Sequence, residues 1–197
     1  MHARRLACFF LGLWLAGGLF MAWVATQNFR EVDRLLSKAD PVATLKFKEL
    51  GPEARFIMRY QASEMNRWLF RSWENAQVFL GVGFFLVMLF GSRENTIVLL
   101  GVLLIWLLVL AQRFLITPEL ISLGRLIDFV PMDTPSPERN RFWIVHTAYS
   151  GVEVAKWLLC LLLTAKMVFS SKRSGRSRDS RRELDRVDKP NYRRVNG

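Results

Sequence analysis

The feature that most constrains this chain is the separation of its charged residues from its apolar residues. Three long windows, at 6–25, 77–91 and 96–111, contain no charged side chain. A fourth window, at 143–169, is mostly apolar and carries only Glu153, Lys156 and Lys166 as charged residues. About 20 apolar residues cross the hydrocarbon core of a bilayer, within a range of roughly 17–25. The four windows therefore predict four membrane-spanning helices.

We predict an all-α fold: an integral membrane four-helix bundle with extra-membrane amphipathic helices on the outer side. The transmembrane domain covers 1–170, and the spans lie at about 6–26, 75–91, 96–116 and 143–169. An outer helical loop at 27–74 and an outer loop at 117–142 connect the spans, and a basic cytoplasmic tail at 171–197 follows. The short link between the second and third spans predicts an antiparallel hairpin. The first window could be a cleaved secretory signal, but it exceeds the roughly 7–15 apolar residues of a signal, so we favour an anchor.

Turn and cap signals divide the segments outside the spans. The first helix is predicted to continue to about Leu36, and Asp40-Pro41 and Gly51-Pro52 are typical of helix starts, since proline suits the first helical position. An amphipathic helix is predicted from Pro52 into the second span. Thr117-Pro118 predicts the start of another short helix, and Ser136-Pro137 predicts the cap of the last one. The tail is rich in Arg, Ser and Asp, which predicts a disordered or transiently helical segment.

The basic residues predict the orientation in the membrane. The formal net charge is +11, and the tail alone holds ten basic and four acidic residues. Because basic residues favour the cytoplasmic side, both termini are predicted to be cytoplasmic, in a multi-pass protein of the inner (plasma) membrane. The nine basic residues of 27–74 are a partial objection, although seven acidic residues lie among them. A basic tail just inside a span favours anionic lipid headgroups over nucleic acid as its partner.

The fourth span is the one that carries candidate chemistry. His146, Tyr149, Glu153 and Lys156 occupy an arc of about 80° on a helix. Ionisable groups inside a span are costly, so they usually face the interior of the bundle and form pairs. Glu153 and Lys156 stand three residues apart and are predicted to reach each other.

The antiparallel arrangement brings further polar residues to the same depth, near the outer side. The candidate cavity or ligand-binding residues are Gln112, Arg113, Asn75, Gln77, His146, Tyr149, Glu153 and Lys156. This layer is consistent with a polar cavity open to the outside. The alternative is structural: polar groups near span ends are normal, hydrogen bonds between helices hold bundles together, and a Glu–Lys pair can neutralise itself.

Several kinds of site are excluded by the residues present. A bis-histidine haem needs a second histidine in the bundle, and the other histidine is His2. Zinc needs about four ligands at suitable spacing, which Cys8, Cys160 and His146 do not supply. No phosphate-binding glycine motif is present, so we predict no cofactor, no metal and no catalytic residues.

The leading functional hypothesis is a non-enzymatic accessory or scaffold component of the membrane, with a membrane-protein partner or a second copy of itself. The alternative is a small permease or a ligand- or ion-binding protein that uses the polar layer. A membrane enzyme using His146 and Glu153 is the least favoured hypothesis. Their separation of about 10 Å along the helix axis argues against one reacting centre.

Three motifs resemble a known family. The first is Leu13-Trp14-Leu15-Ala16-Gly17-Gly18-Leu19-Phe20 with Phe29-Arg30; the second is Thr117-Pro118-Glu119-Leu120; the third is Arg141-Phe142 with His146 and Ser150. In order and spacing they resemble the bacterial domain-of-unknown-function 4149 family, which includes the transmembrane protein 205-like proteins. The resemblance covers about residues 10–170 and implies a four-helix membrane protein. It implies no established activity. The chain departs from the family pattern in its longer loop before the second span, in the Glu153–Lys156 pair and in its basic tail.

Overall fold

The described part of the chain is built from helices. A computed structural model describes the backbone of residues 2–91, 96–131 and 133–195, and the side chains of residues 5–90, 96–131 and 133–169. The helices are α1 (His2–Lys38), α2 (Pro41–Leu50), α3 (Glu53–Gly91), α4 (Thr96–Ala111), α5 (Thr117–Ile127) and α6 (Pro137–Val195). A π-helical turn, Gln112–Ile116, lies between α4 and α5. The predicted all-α class is confirmed for these residues.

The helix starts follow the predicted cap residues. The Asp40 side chain accepts hydrogen bonds from the backbone N–H groups of Val42 and Ala43, at 3.0 and 3.1 Å. The Ser136 hydroxyl accepts one from the backbone N–H of Arg139, at 3.1 Å. These bonds satisfy backbone donors that have no partner inside the first turn. The predicted starts at Pro41 and Pro137 are therefore confirmed.

Three helical stretches in the described residues are long and apolar enough to cross a membrane: Arg5–Lys38, Glu53–Phe90 and Thr96–Ile127. They contain the first three predicted spans. The fourth predicted span, within α6, is not among them, and its three charged residues interrupt the apolar run. The crossing of a membrane by α6 therefore stays a prediction.

The predicted start of a short helix at Thr117 is confirmed, since α5 begins there, but no loop separates α5 from the helix before it. Helix α4, the π turn and α5 form one continuous helical rod from Thr96 to Ile127. Pro118 has no N–H to donate, yet the chain does not turn there. The backbone N–H of Thr117 bonds instead to the carbonyl of Gln112, five residues earlier. The wider turn carries the helix past the proline without a break.

The core is shared by α1, α3, α4 and α6. Its fully buried members include Trp14, Phe84, Ile105 and Met167, one from each helix. Helix α1 approaches closely because it lacks side chains where two indoles lie. A Cβ atom at Gly17 would lie 2.1 Å from Cη2 of Trp73, and one at Gly18 would lie 2.5 Å from Nε1 of Trp157.

The prediction of a disordered or transiently helical tail stays a prediction, and the structure gives the backbone course of this segment. The backbone of α6 continues as helix through the tail to Val195. Adding residues to an existing helix avoids the cost of nucleation, which explains how a polar segment can extend a long apolar helix. The tail side chains that were predicted to contact lipid headgroups lie outside the described side chains.

Candidate functional site

Polar side chains from α3, α5, α6 and the π turn meet inside the protein. We name this group the Glu74 cluster; its members are Glu74, Gln77, Gln112, Thr117, Tyr149, Glu153 and Lys156. As whole residues, Glu74, Gln77, Gln112 and Lys156 are 0% exposed, and Thr117 and Tyr149 are 3% and 5% exposed. Such complete burial of polar groups is costly unless they find partners, so their contacts define the site.

The best-compensated charge in the cluster is Lys156. Its Nζ donates a hydrogen bond to Glu153 Oε1 at 2.8 Å and another to Gln77 Oε1 at 2.7 Å. The predicted pair within α6 is confirmed. The bond to Gln77 also ties α6 to α3, so this ammonium group joins two helices.

Glu74 is held by a different helix. Its Oε1 accepts a hydrogen bond from the Thr117 hydroxyl. The nearest cation is Arg113, whose Nε lies 4.0 Å from Glu74 Oε2. That Nε donates to Asn75 Oδ1 instead, at 3.1 Å. The carboxyl group therefore lies next to an arginine without a direct hydrogen bond from its Nε.

The π turn sets the positions of the residues opposite α3 and α6. Gln112 opens the turn, and its Nε2 donates a hydrogen bond to the backbone carbonyl of Tyr149 at 3.1 Å. Thr117 comes directly after the turn and faces Glu74. Since π turns within α-helices often occur at functional sites, the distortion and the cluster point to the same place.

Four buried polar atoms of the cluster have no hydrogen-bond partner in the described structure: Glu74 Oε2, Gln77 Nε2, Gln112 Oε1 and the Tyr149 hydroxyl. The Tyr149 hydroxyl and the Glu74 carboxyl are close enough to interact electrostatically. Buried polar groups in native proteins are nearly always bonded to protein or to water. The unpartnered atoms make this cluster the candidate functional site of the described residues.

A second polar group lies earlier on α3, between that helix and the end of α5. We name it the Arg67 network; its members are Glu64, Arg67 and Asp128. Arg67 Nη2 lies 2.7 Å from Asp128 Oδ1, and Nη1 lies 2.6 Å from Glu64 Oε1. The hydrogen bond from Arg67 lowers the pKa of the Glu64 carboxyl, which precedes the predicted second span. This network has opposite charges in direct contact.

His146 is not part of the Glu74 cluster. Its ring stacks on Phe142 at 5.8 Å and meets Trp143 edge-on at 5.5 Å, both measured between ring centroids. The surroundings of the imidazole are therefore aromatic, and the described contacts of Glu153 go to Lys156 instead. The other seven predicted residues lie in the cluster or touch it, with Arg113 and Asn75 at its edge.

Two site residues were not among the predicted candidates. Glu74 stands at the edge of a predicted span, where polar residues are common, and Thr117 was interpreted as a helix start. The predicted polar cavity open to the outside stays a prediction, and four residues of the cluster are 0% exposed in this structure. A groove of about 560 Å³ lies elsewhere, between α1 and α3, and its lining includes Phe10, Leu13, Trp73, Ala76, Phe79 and Leu80.

Comparisons with known proteins give no relative to guide the interpretation. No protein-family model, no curated protein and no solved structure matches the chain. The family resemblance of the three sequence motifs therefore stays a prediction. Among the described residues, no three His, Cys, Asp or Glu side chains are grouped as metal ligands would be. Any functional assignment must come from the geometry of this chain.

Proposed function

We propose that this chain is an integral protein of the plasma membrane, in which α1, α3, α4 and α6 each cross the bilayer and both termini are cytoplasmic. The observation that carries this proposal is the exposure of large apolar side chains on all four helices. Examples are Phe9 at 63%, Phe79 at 76%, Leu107 at 50% and Leu162 at 65%. A soluble protein rarely exposes so much continuous apolar surface, whereas lipid is a suitable neighbour for it.

Topology is tested by single cysteines in intact and permeabilised cells. The native Cys8 and Cys160 are first replaced by alanine, and a cysteine is then placed at Thr134, between α5 and α6, or at Ser174 in the tail. A membrane-impermeant maleimide should label the cysteine at 134 in intact cells and the one at 174 only after permeabilisation. Labelling of both positions in intact cells would contradict the fourth span, because an odd number of crossings separates 134 from 174.

The role proposed first is that of a non-enzymatic accessory component that binds another membrane protein. Support comes from large apolar side chains exposed outside the predicted spans, on α2, α3 and after α5. They include Val42 at 69%, Leu45 at 61%, Trp68 at 63% and Phe129 at 58%. Helix α2 has no buried residue at all among its ten. Exposed apolar groups of this kind are typical of surfaces that a partner covers.

The test is purification from native membranes in mild detergent after brief crosslinking. A partner present in stoichiometric amount is expected with the wild type and lost with Val42→Asp combined with Leu45→Asp. A matched double variant at Lys46 and Lys48, changed to Gln, should keep the partner because it leaves the apolar residues of α2 in place. A protein that purifies as a monomer without a partner in every case would contradict the accessory role, and a dimer would identify the partner as a second copy.

A second candidate is a small permease or ligand-binding protein, and the four unpartnered atoms of the Glu74 cluster favour it. Proteoliposomes loaded with dyes sensitive to H⁺, Na⁺ or K⁺ test transport directly. Flux of one of these ions above that of protein-free vesicles, reduced by Gln112→Ala, is expected if the cluster lies on a path. Equal flux in vesicles with and without the protein, for all three ions, would contradict an ion permease.

A further inference from the structure

The Glu74 carboxyl has too few partners for a buried anion. Its side chain is 1% exposed, Oε1 has one hydrogen bond from a neutral hydroxyl, and Oε2 has none in the described structure. An ionised carboxylate removed from water costs several kcal/mol unless its charge is paired and hydrogen-bonded. The usual response of such a group is to take up a proton.

Glu153, in the same cluster, is a carboxylate whose charge is compensated by a cation and by solvent. It receives a hydrogen bond from the Lys156 ammonium at 2.8 Å, and its side chain keeps 13% of its surface exposed. Glu74 has neither an ammonium in contact nor exposure to water. The two carboxyl groups therefore differ in surroundings although they share one cluster.

The groups around Glu74 allow its carboxyl group to bind and release a proton. Arg113 approaches from the π turn, at 4.0 Å, with 28% of its side chain exposed to solvent. From α6, the Tyr149 hydroxyl and the Lys156 ammonium act on the carboxyl, and from α5 the Thr117 hydroxyl bonds to it. From α1, Gly17 packs against the indole ring of Trp73, the residue before Glu74. Arg113 is thus the cation that reaches solvent.

We propose that Glu74 is a proton-binding site, in which Arg113 bonds to Asn75 while the carboxyl is protonated and turns to Glu74 when the proton leaves. One proton adds to the carboxylate, no other covalent bond is made or broken, and the Arg113 guanidinium exchanges one hydrogen-bond acceptor for another. The protonated Oε2 becomes a donor, and the Tyr149 hydroxyl, which lies close to this carboxyl group, can accept from it. This assignment deepens the second candidate function by naming its ligand as the proton.

Infrared spectroscopy of the full chain in lipid nanodiscs tests the proposal, because a protonated carboxyl group has its own C=O stretching band. The spectra are recorded from about pH 4 to about pH 9, a range that brackets ordinary and strongly shifted carboxyl groups. Ordinary carboxyl groups are ionised above about pH 6, so we expect one band that persists above that pH in the wild type and disappears as the pH rises further. The band should be absent in Glu74→Gln and present in Glu64→Gln, a control on the same helix in the Arg67 network.

A second variant keeps the test decisive if Glu74→Gln does not fold. Arg113→Gln removes the neighbouring positive charge, so Glu74 should hold its proton more tightly. The midpoint of the band should move to higher pH by at least about tenfold in proton affinity, as expected for a charge within about 4–6 Å. Arg125→Gln is the control: this exposed arginine lies 3.4 Å from Glu64, in the other polar group, and its loss should leave the midpoint unchanged.

Three results would overturn the proposal: no titrating carboxyl band in the wild type, a band that survives in Glu74→Gln, or an unchanged midpoint in Arg113→Gln. Spectra of the purified chain do not depend on a partner or on ion flux. A protein that binds the proton but carries no ion would therefore contradict the permease alone.

Discussion

The Arg67 network and the Glu74 cluster lie on the same helix, α3, and both are largely buried, yet their bonding differs. In the Arg67 network, side chains 11% and 6% exposed form a direct ion pair at 2.7 Å, and Glu64 adds a second acceptor. In the Glu74 cluster, four buried polar atoms have no partner in the described structure. Burial alone therefore does not separate a structural contact from a candidate site. Several unsatisfied polar groups in one cluster are a better indicator, although the indole N–H groups of Trp14, Trp73 and Trp157, outside the cluster, are also unpartnered in the described structure.

The largest effect should come from removing the charge that holds the cluster together. Lys156→Met leaves Glu153 as a partly buried carboxylate without its ammonium and the buried Gln77 Oε1 without its donor. Breaking a buried pair from one side costs about 3–5 kcal/mol, and we expect a loss of this order in the free energy of unfolding in detergent.

The double variant Lys156→Met with Glu153→Gln serves as the control for this prediction. It removes both charges, so most of the lost stability should return. If the single variant unfolds like the wild type, Lys156 does not hold α6 to α3. The proposed difference in stability between the Glu74 cluster and the Arg67 network would then be wrong.

The Arg67 network should tolerate change better, because Arg67 has two acceptors. Asp128→Ala removes the bonds at 2.7 and 2.8 Å but leaves the bond to Glu64. The expected loss is about 1.5–3 kcal/mol, the range for hydrogen bonds to charged groups, measured by the same unfolding assay. A loss greater than that of Lys156→Met would reverse the order of the two regions.

Helix α1 packs closely against α3 at Trp73, the residue before Glu74. Substitutions at two glycines of α1 measure how much this close packing contributes to the free energy of unfolding. Gly17→Ala places a Cβ 2.1 Å from the Trp73 ring, whereas Gly12→Ala meets nothing within 4 Å. We expect Gly17→Ala to destabilise by about 1–3 kcal/mol through overpacking. Gly12→Ala should be neutral or stabilising by up to about 1 kcal/mol, because alanine is the better helix former. Equal effects at both positions would show that Trp73 moves aside freely.

The smallest effect should come from the exposed edge of the Arg67 network. Arg125 lies 3.4 Å from Glu64, and its side chain is 58% exposed. Surface ion pairs contribute about 0–1 kcal/mol, so Arg125→Gln should change the unfolding free energy within that range and less at high salt. A loss comparable to that of Asp128→Ala would show that the network extends farther to the surface than its geometry indicates.

The sequence predicts the long helices because bilayer thickness and charge exclusion act on each helix separately. Asp40, Pro41 and Ser136 predict helix starts for the same reason, since a cap bonds within its own turn. The Glu153–Lys156 pair was equally local, at a spacing of three residues. These features need no knowledge of which helices meet.

The rest of the site depends on contacts between helices, and the sequence does not contain them in readable form. Thr117 bonds to a residue 43 positions earlier, and Gln77 to one 79 positions later. His146 shares a helix face with Lys156, but its ring packs against Phe142 and Trp143, one turn before it. Helical spacing predicts which residues share a face of α6, but it does not predict which side chains those residues contact.

The π turn also changes the spacing of the buried residues along the helical rod, on both sides of the site. Buried positions on the rod from Thr96 to Ile127 step by three or four residues through Val98, Val102, Ile105, Val109 and Gln112, and the next one is Thr117, five residues later. The turn accommodates one extra residue, so the inward stripe stays in phase on both sides of it. A deletion of one residue within 113–116 should therefore preserve the packing stripe, whereas a deletion within α4 should rotate everything beyond it by about 100°.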